Sequence, residues 1–193
     1  MILNLLMIPI RKRKKTLQVT VEEMRNFALA YVEKYAPSKQ QLKTYLLKKY
    51  LKTSVQNVKK QDVTDLINVV LSDLETSKFI NDKFYSESKA KSMISRGNSI
   101  NKIRNYLIGK GINDQFIRET VTKIKEDNSD QDFFSAIKIC KKKRIGPART
   151  EDNRPLFYKK DISLLARNGF DFETSKKVMD LEKQDYIKMI KLL

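Results

Sequence analysis

Ser99-Ile100-Asn101-Lys102-Ile103-Arg104-Asn105-Tyr106-Leu107-Ile108-Gly109-Lys110-Gly111-Ile112-Asn113-Asp114 reads as one helix with a start and a stop. Gly97 ends the helix before it, and Ser99 carries the hydroxyl that an N-cap needs. Gly111 supplies the left-handed turn ahead of Ile112, and Asn113-Asp114 opens the next helix. Leu107 and Gly111 have counterparts elsewhere: Leu46 with Tyr50, and Leu165 with Gly169, stand at the same four-residue spacing. A layout that returns in this way signals tandem helical units.

Upstream, Thr20 and Glu23 form a capping box, in which a hydroxyl accepts from a free helical N–H while the carboxylate reaches back. Met24, Phe27, Ala28, Tyr31 and Tyr35 then follow the stripe of a half-buried helix, which Pro37 prevents from continuing. Ser38 and Gln41 repeat the capping pattern before Leu42, Tyr45 and Leu46. Val63, Leu66, Ile67, Val70 and Leu74 form the face of a third helix. In the next unit Asn81-Asp82 caps a helix that runs to Arg96. Downstream, a helix from Ser129 carries Phe133, Ala136, Ile137 and Cys140, another ends at Asn168-Gly169-Phe170, and a last one runs from Asp171 through Val178.

No strand alternation is present, so the expectation is an all-α protein of three tandem three-helix repeats forming an elongated curved body. Residues 1–20 would be a basic, flexible arm, and 21–76, 77–127 and 128–193 the three repeats, the last with a C-terminal tail. Lys52 to Lys60 and Lys141 to Asn153, the second containing Gly146-Pro147, are the least regular stretches and the expected flexible joints.

The 193 residues carry 40 Lys and Arg against 23 Asp and Glu, a formal charge of +17. That field favours a polyanion, with nucleic acid as the default partner, acidic protein as the alternative, and a merely solvated basic surface as the bland reading. Three basic groups stand out: Arg11 to Lys15; Arg96, Lys102, Arg104 and Lys110; and Lys141, Lys142, Lys143 and Arg144. Each suits phosphates, although cations at a helix C-terminus also complement its dipole. Tyr106, Phe157 and Tyr158 lie near enough in sequence to stack on bases, against the ordinary reading as core.

Cys140 stands alone, which fits a reducing cytoplasm and supplies no disulfide. Met1 to Ile10 is apolar but about half a membrane span, and its basic run follows instead of preceding it, so neither an integral span nor a signal peptide is expected. A peripheral anchor is the alternative for that segment. With no histidine, imidazole catalysis and the usual zinc sites are excluded. The five glycines form no phosphate-cradling loop, so no nucleotide cofactor is expected. Glu87-Ser88-Lys89 has the E-x-K spacing of some metal-dependent nucleases, with Asp73 or Asp82 as further ligands. On a helix, however, residues two apart face different ways. The expectation is a binding protein, not an enzyme, with neither metal nor cofactor.

Phe79-Ile80-Asn81-Asp82-Lys83-Phe84, followed by Arg96-Gly97-Asn98-Ser99-Ile100-Asn101-Lys102-Ile103-Arg104, Leu107 and Lys110-Gly111-Ile112, resembles the second repeat of the RecX family, bacterial modulators of the RecA recombinase. Arg144-Ile145-Gly146-Pro147, Lys160-Asp161 and Leu164-Leu165-Ala166-Arg167-Asn168-Gly169-Phe170 are similar to the third. The resemblance spans roughly residues 27–181. It implies a monomer that lies in the groove of the RecA–DNA filament or caps its growing end, restraining ATP hydrolysis, strand exchange and co-protease action, and so damping repair and the SOS response. Its partners would be the RecA filament and single-stranded DNA or its phosphates within it. Two departures stand out: Tyr85 and Ser88 replace small and apolar residues, and the arm has no family counterpart. The rival readings are a general or helix-turn-helix DNA-binding protein and a scaffold without nucleic-acid contact.

Overall fold

The computed structural model describes residues 17–52 and 59–193. The basic run Arg11 to Lys15 and most of the polar segment Lys52 to Lys60 lie outside them. The described chain is all-helical: α1 (Val21–Tyr35), α2 (Lys39–Lys52), α3 (Lys60–Thr76), α4 (Asp82–Ser95), α5 (Ile100–Gly109), α6 (Asp114–Asp127), α7 (Gln131–Lys143), α8 (Asn153–Arg167), α9 (Phe172–Met179) and α10 (Lys183–Lys191), with a 3-10 turn at Gly146–Ala148.

The caps expected from sequence start several of these helices. Thr20 Oγ1 accepts from Glu23 N at 3.3 Å, and the Glu23 carboxylate accepts from Gln18 N instead of returning to Thr20. Ser38 and Gln41 complete a full box, with Ser38 N donating to Gln41 Oε1 (3.1 Å) and Gln41 N to Ser38 Oγ (3.2 Å). Asn81, Ser99, Asn113 and Asp171 cap α4, α5, α6 and α9 through their side chains.

The buried apolar residues fall into three clusters instead of one. Met24, Leu42, Leu46, Ile67 and Leu74 join α1, α2 and α3. Ala90, Ile103, Leu107, Ile117 and Ile124 join α4, α5 and α6. Ile137, Cys140, Leu165, Val178 and Tyr186 join α7, α8, α9 and α10. Each helix buries one stripe inside its own cluster, the arrangement amphipathic helices reach when their stripes are short and their turns tight. Tyr85, the departure from the family pattern, is buried, its hydroxyl 3.3 Å from that of Tyr106. Burial pushes the Cys140 thiol up to about 12, so it stays protonated and packs as a small apolar side chain.

Two expectations are corrected in the last group. The C-terminal tail contains a helix, α10, which buries Tyr186 against the cluster. The stretch Lys141 to Asn153, expected as a flexible joint, is fastened. Arg149 grips Asp161 of α8 through two hydrogen bonds, at 2.6 and 2.9 Å, and Gly146 N donates to the same carboxylate at 2.9 Å. Lys183 Nζ reaches the carbonyls of Pro147 and Arg149, and Arg154 those of Met179 and Leu181. Burial alone would push the Asp161 carboxyl up. Arg149, the Gly146 amide and nearby Lys160 together hold it below the ordinary carboxylate value. Gly-Pro reads as a breaker by local rules, but the ion pair across it is a tertiary contact that no local rule sees.

Candidate polyanion-binding face and the joints that position it

The three groups are joined twice by the same device. At the first joint the Ser38 hydroxyl, fully buried, donates to the carbonyl of Lys110 at the end of α5 (2.7 Å), and Lys39 N donates to Asp82 at the start of α4 (2.8 Å). At the second, the Ser99 hydroxyl donates to the carbonyl of Asn168 at the end of α8 (2.8 Å), and Ile100 N donates to Asp132 at the start of α7 (2.8 Å). The residue after each accepting carbonyl is a positive-φ glycine set against the neighbouring group. A Cβ on Gly111 would lie 2.5 Å from Gln40 Cβ, and one on Gly169 2.5 Å from Ser99 Oγ. Both contacts require glycine. Burial raises the carboxyls of Asp82 and Asp132, opposed by the amide each accepts.

The central cations lie around α5, between these joints, in unequal circumstances. Lys102, half-buried near the start of α5, donates from Nζ to Asn168 Oδ1 at 3.1 Å and so belongs to the second joint. Arg96 is exposed but folds back on α4, bonding the Ser92 carbonyl at 3.1 Å and the Ser92 hydroxyl at 2.6 Å. Lys110, whose carbonyl serves the first joint, holds its ammonium 5.2 Å from the Tyr106 ring. Arg104 alone of this set is exposed with no hydrogen-bond or ion-pair partner among the described residues.

Lys141, Lys142, Lys143 and Arg144 are all exposed and likewise without such a partner among the described residues. The three lysines occupy the last turn of α7, and Arg144 is its left-handed C-cap at φ 55°. The helix dipole accounts for one or two cations there, not four. The contact of Gly97 with Lys138, where an added Cβ would come within 2.9 Å of Lys138 Cβ, sets the end of α4, and with it Arg96, beside α7. The structure thus brings Arg96 to the helix that carries the run, while Lys110 stands at the other joint, against α2.

The aromatic candidates are engaged inside the fold. Phe157 lies under the Arg149 guanidinium at 4.4 Å, the Tyr158 hydroxyl donates to Asp180 at 3.3 Å, and Tyr106 meets Tyr85. The acidic candidates do not converge: Glu87 pairs with Lys123 at 3.5 Å, Asp73 with Arg25 at 2.7 Å, and Asp82 serves the joint. Among the described residues no group of acidic, cysteine or histidine side chains is placed to hold a metal ion, and no helix is long and apolar enough to cross a membrane. Sequence reasoning took Ser38, Ser99 and Asp82 as caps and missed their second role. The constant spacing that pairs Thr20 with Asn81, Pro37 with Asn98 and Ser38 with Ser99 was the signal that could have exposed it.

The chain is 30% identical over 177 residues to the regulatory protein RecX of Myxococcus xanthus (strain DK1622), a match that spans 88% of this chain and 91% of that one. The chain belongs to the RecX family. The RecX of Agrobacterium fabrum (strain C58) is 26% identical over 161 residues, covering 83% and 84% of the two chains. A crystal structure of a regulatory protein RecX superposes with a TM-score of 0.58 at 18% identity, over 83% of this chain and 74% of that one. RecX from Lactobacillus salivarius gives 0.58 at 17% identity, over 90% and 97%. At such identities the two structures attest the RecX fold alone. No family model matches the chain.

Proposed function

We propose that this RecX-family protein binds RecA nucleoprotein filaments and restrains their growth and activity, so modulating recombinational repair and the SOS response in the cytoplasm. The observation that carries the reading is the kinship with a regulatory protein RecX along nearly the whole of both chains. The charge of +17 supports a polyanionic partner. We take the three helical groups as tandem repeats with limits near 21–76, 77–127 and 128–193, making an elongated curved body. The contacts would come from Arg104 and the exposed run Lys141, Lys142, Lys143 and Arg144, with Arg96, Lys102 and Lys110 flanking, against DNA phosphates within the filament. No catalysis by the chain is required.

A monomer is supported by the outer ends. The positions of Asp82 and Gly111 are taken in the first group by Val21 and Tyr50, and the position of Ser99 falls in the third on Phe157, inside α8. Neither end therefore offers the joint to a further copy. The test is RecA ATP hydrolysis on single-stranded DNA with this protein titrated in, beside DNA binding without RecA at the same salt. Suppression at concentrations too low to coat the DNA is expected. Tight DNA binding without suppression would leave the rival reading, a general DNA-binding protein.

A further inference from the structure

Gly109, the last residue of α5, lies in ordinary helical backbone, unlike the four glycines at positive φ. A Cβ there would meet nothing within 4 Å. Glycine is the poorest helix former after proline, and here neither backbone geometry nor packing asks for it. Its effect is to leave room in a cleft of about 420 Å³ between α1 and α2 of the first group and the end of α5 in the second.

The chemistry of that cleft is uniform. Tyr31 and Tyr45 form one wall, their rings stacked with centroids 4.0 Å apart and planes 12° from parallel. Gln40 contributes a side-chain amide with no partner among the described residues. Lys48, exposed and equally without a partner, and Lys110 contribute the charge, and no carboxylate lines the cleft. Aromatic rings, a hydrogen-bonding amide and two cations are what an unpaired nucleotide needs for its base face, base edge and phosphate. A duplex hides its base faces, and a phosphate track alone has no use for stacked rings. An acidic peptide would satisfy the lysines but not the ring wall.

We infer that this cleft, walled by Tyr31 and Tyr45 and kept open by Gly109, seats an unpaired nucleotide of single-stranded nucleic acid. The inference rests on the polyanion-binding reading above and gives it a site away from the α7 run. Because the cleft lies across the first joint, it exists only when the two groups are held together by Ser38 and Asp82.

The test is fluorescence anisotropy of full-length protein, without RecA, on three labelled probes: an oligothymidylate, a duplex of equal length, and an oligoglutamate peptide. Gly109→Leu fills the cleft from a position where a side chain has open space, and Tyr45→Leu removes one ring. Gly109→Leu should keep or raise the melting temperature yet weaken oligothymidylate binding about tenfold, the worth of one stacked base. Tyr45→Leu should weaken it similarly, with duplex affinity within about twofold of wild type in both, where phosphate contacts dominate. Unchanged oligothymidylate affinity in both variants overturns the inference, as does an equal loss on duplex. A loss confined to oligoglutamate would assign the cleft to an acidic peptide instead. RecA ATP hydrolysis measured on the same proteins separates the two readings. Wild-type suppression of RecA together with unchanged oligothymidylate affinity in Gly109→Leu and Tyr45→Leu sinks the cleft alone, and absence of both wild-type suppression and oligothymidylate binding sinks both.

Discussion

Ser99→Ala tests the joint where it is most exposed to measurement. The Ser99 hydroxyl is fully buried, accepts from Lys102 N at 3.1 Å and donates to the Asn168 carbonyl at 2.8 Å. Alanine removes an N-cap, costing about 1 kcal/mol. It also strands the carbonyl of Asn168 at the interface, costing about 1–3 kcal/mol more. The expected loss is therefore about 2–4 kcal/mol, or about 1–2 M in the urea midpoint at an m-value near 2 kcal/mol per molar. Ser38→Ala should lose a similar amount, because Ser38 makes the matching pair of bonds to Gln41 N and Lys110 O. Ser163, whose hydroxyl donates to the Lys159 carbonyl on the exposed side of α8, is the control, and its alanine variant should stay within about 0.5 kcal/mol of wild type. Urea unfolding followed by far-ultraviolet circular dichroism reads all three, and amide exchange at Lys102 should accelerate in Ser99→Ala. If Ser99→Ala and Ser38→Ala lose no more than Ser163→Ala, the joints are not what holds the groups together.

Asp161→Asn should cost about 2–3 kcal/mol near neutral pH, because it leaves the Arg149 guanidinium without its carboxylate. The folded Asp161 carboxyl lies below its unfolded value, so its contribution is present above about pH 4 and lost as pH falls through the folded value. Urea midpoints of variant and wild type should converge in acid, and a gap that persists there would refute the assignment. Asp82 and Asp132 have the opposite sign, since the folded state holds their proton more tightly and their contribution declines as pH rises through the raised value. Ala36→Gly should raise the melting temperature, because Ala36 ends α1 in left-handed backbone at φ 40°, a conformation that costs an alanine about 1–2 kcal/mol. Lys102→Met should lower stability while Arg104→Ala does not, since only Lys102 bonds across the joint; equal effects in thermal denaturation would contradict that division. Replacing Lys141, Lys142, Lys143 and Arg144 by Gln should make the dependence of log affinity for DNA on log salt shallower by about 3, and an unchanged slope would remove the run from the interface.

Much of this protein is written in local sequence. The 3.6-residue stripe and a cap such as Ser99 or Asn81 concern residues within one turn of each other, so α1, α4, α5 and α9 could be placed without knowing what they touch. The same holds for what the chain cannot do: with no histidine, imidazole chemistry is closed to it in any fold. What Ser99 donates to, and why glycine must stand at 169, depends on two helices separated by more than sixty residues meeting at one point, and no window of sequence contains both.

The cations show the same division. Arg96, Lys102, Arg104 and Lys110 look alike in the sequence, because charge is a property of the residue. Their partners belong to the assembled structure, which engages Lys102 at a joint, folds Arg96 onto α4 and leaves Arg104 to solvent. The Tyr31–Tyr45 stack was hidden for a related reason, since apolar periodicity assigns both residues to a buried stripe without saying which ring edge meets the core and which meets a cleft. Local pattern was enough to place most of the helices and their stops, though not α10, and the residue count alone gives the chain its net charge of +17. Which caps are also joints, which cations stay without a partner among the described residues and where a cleft opens depend on distances between helices and not on any property within one, so they come from the assembled fold.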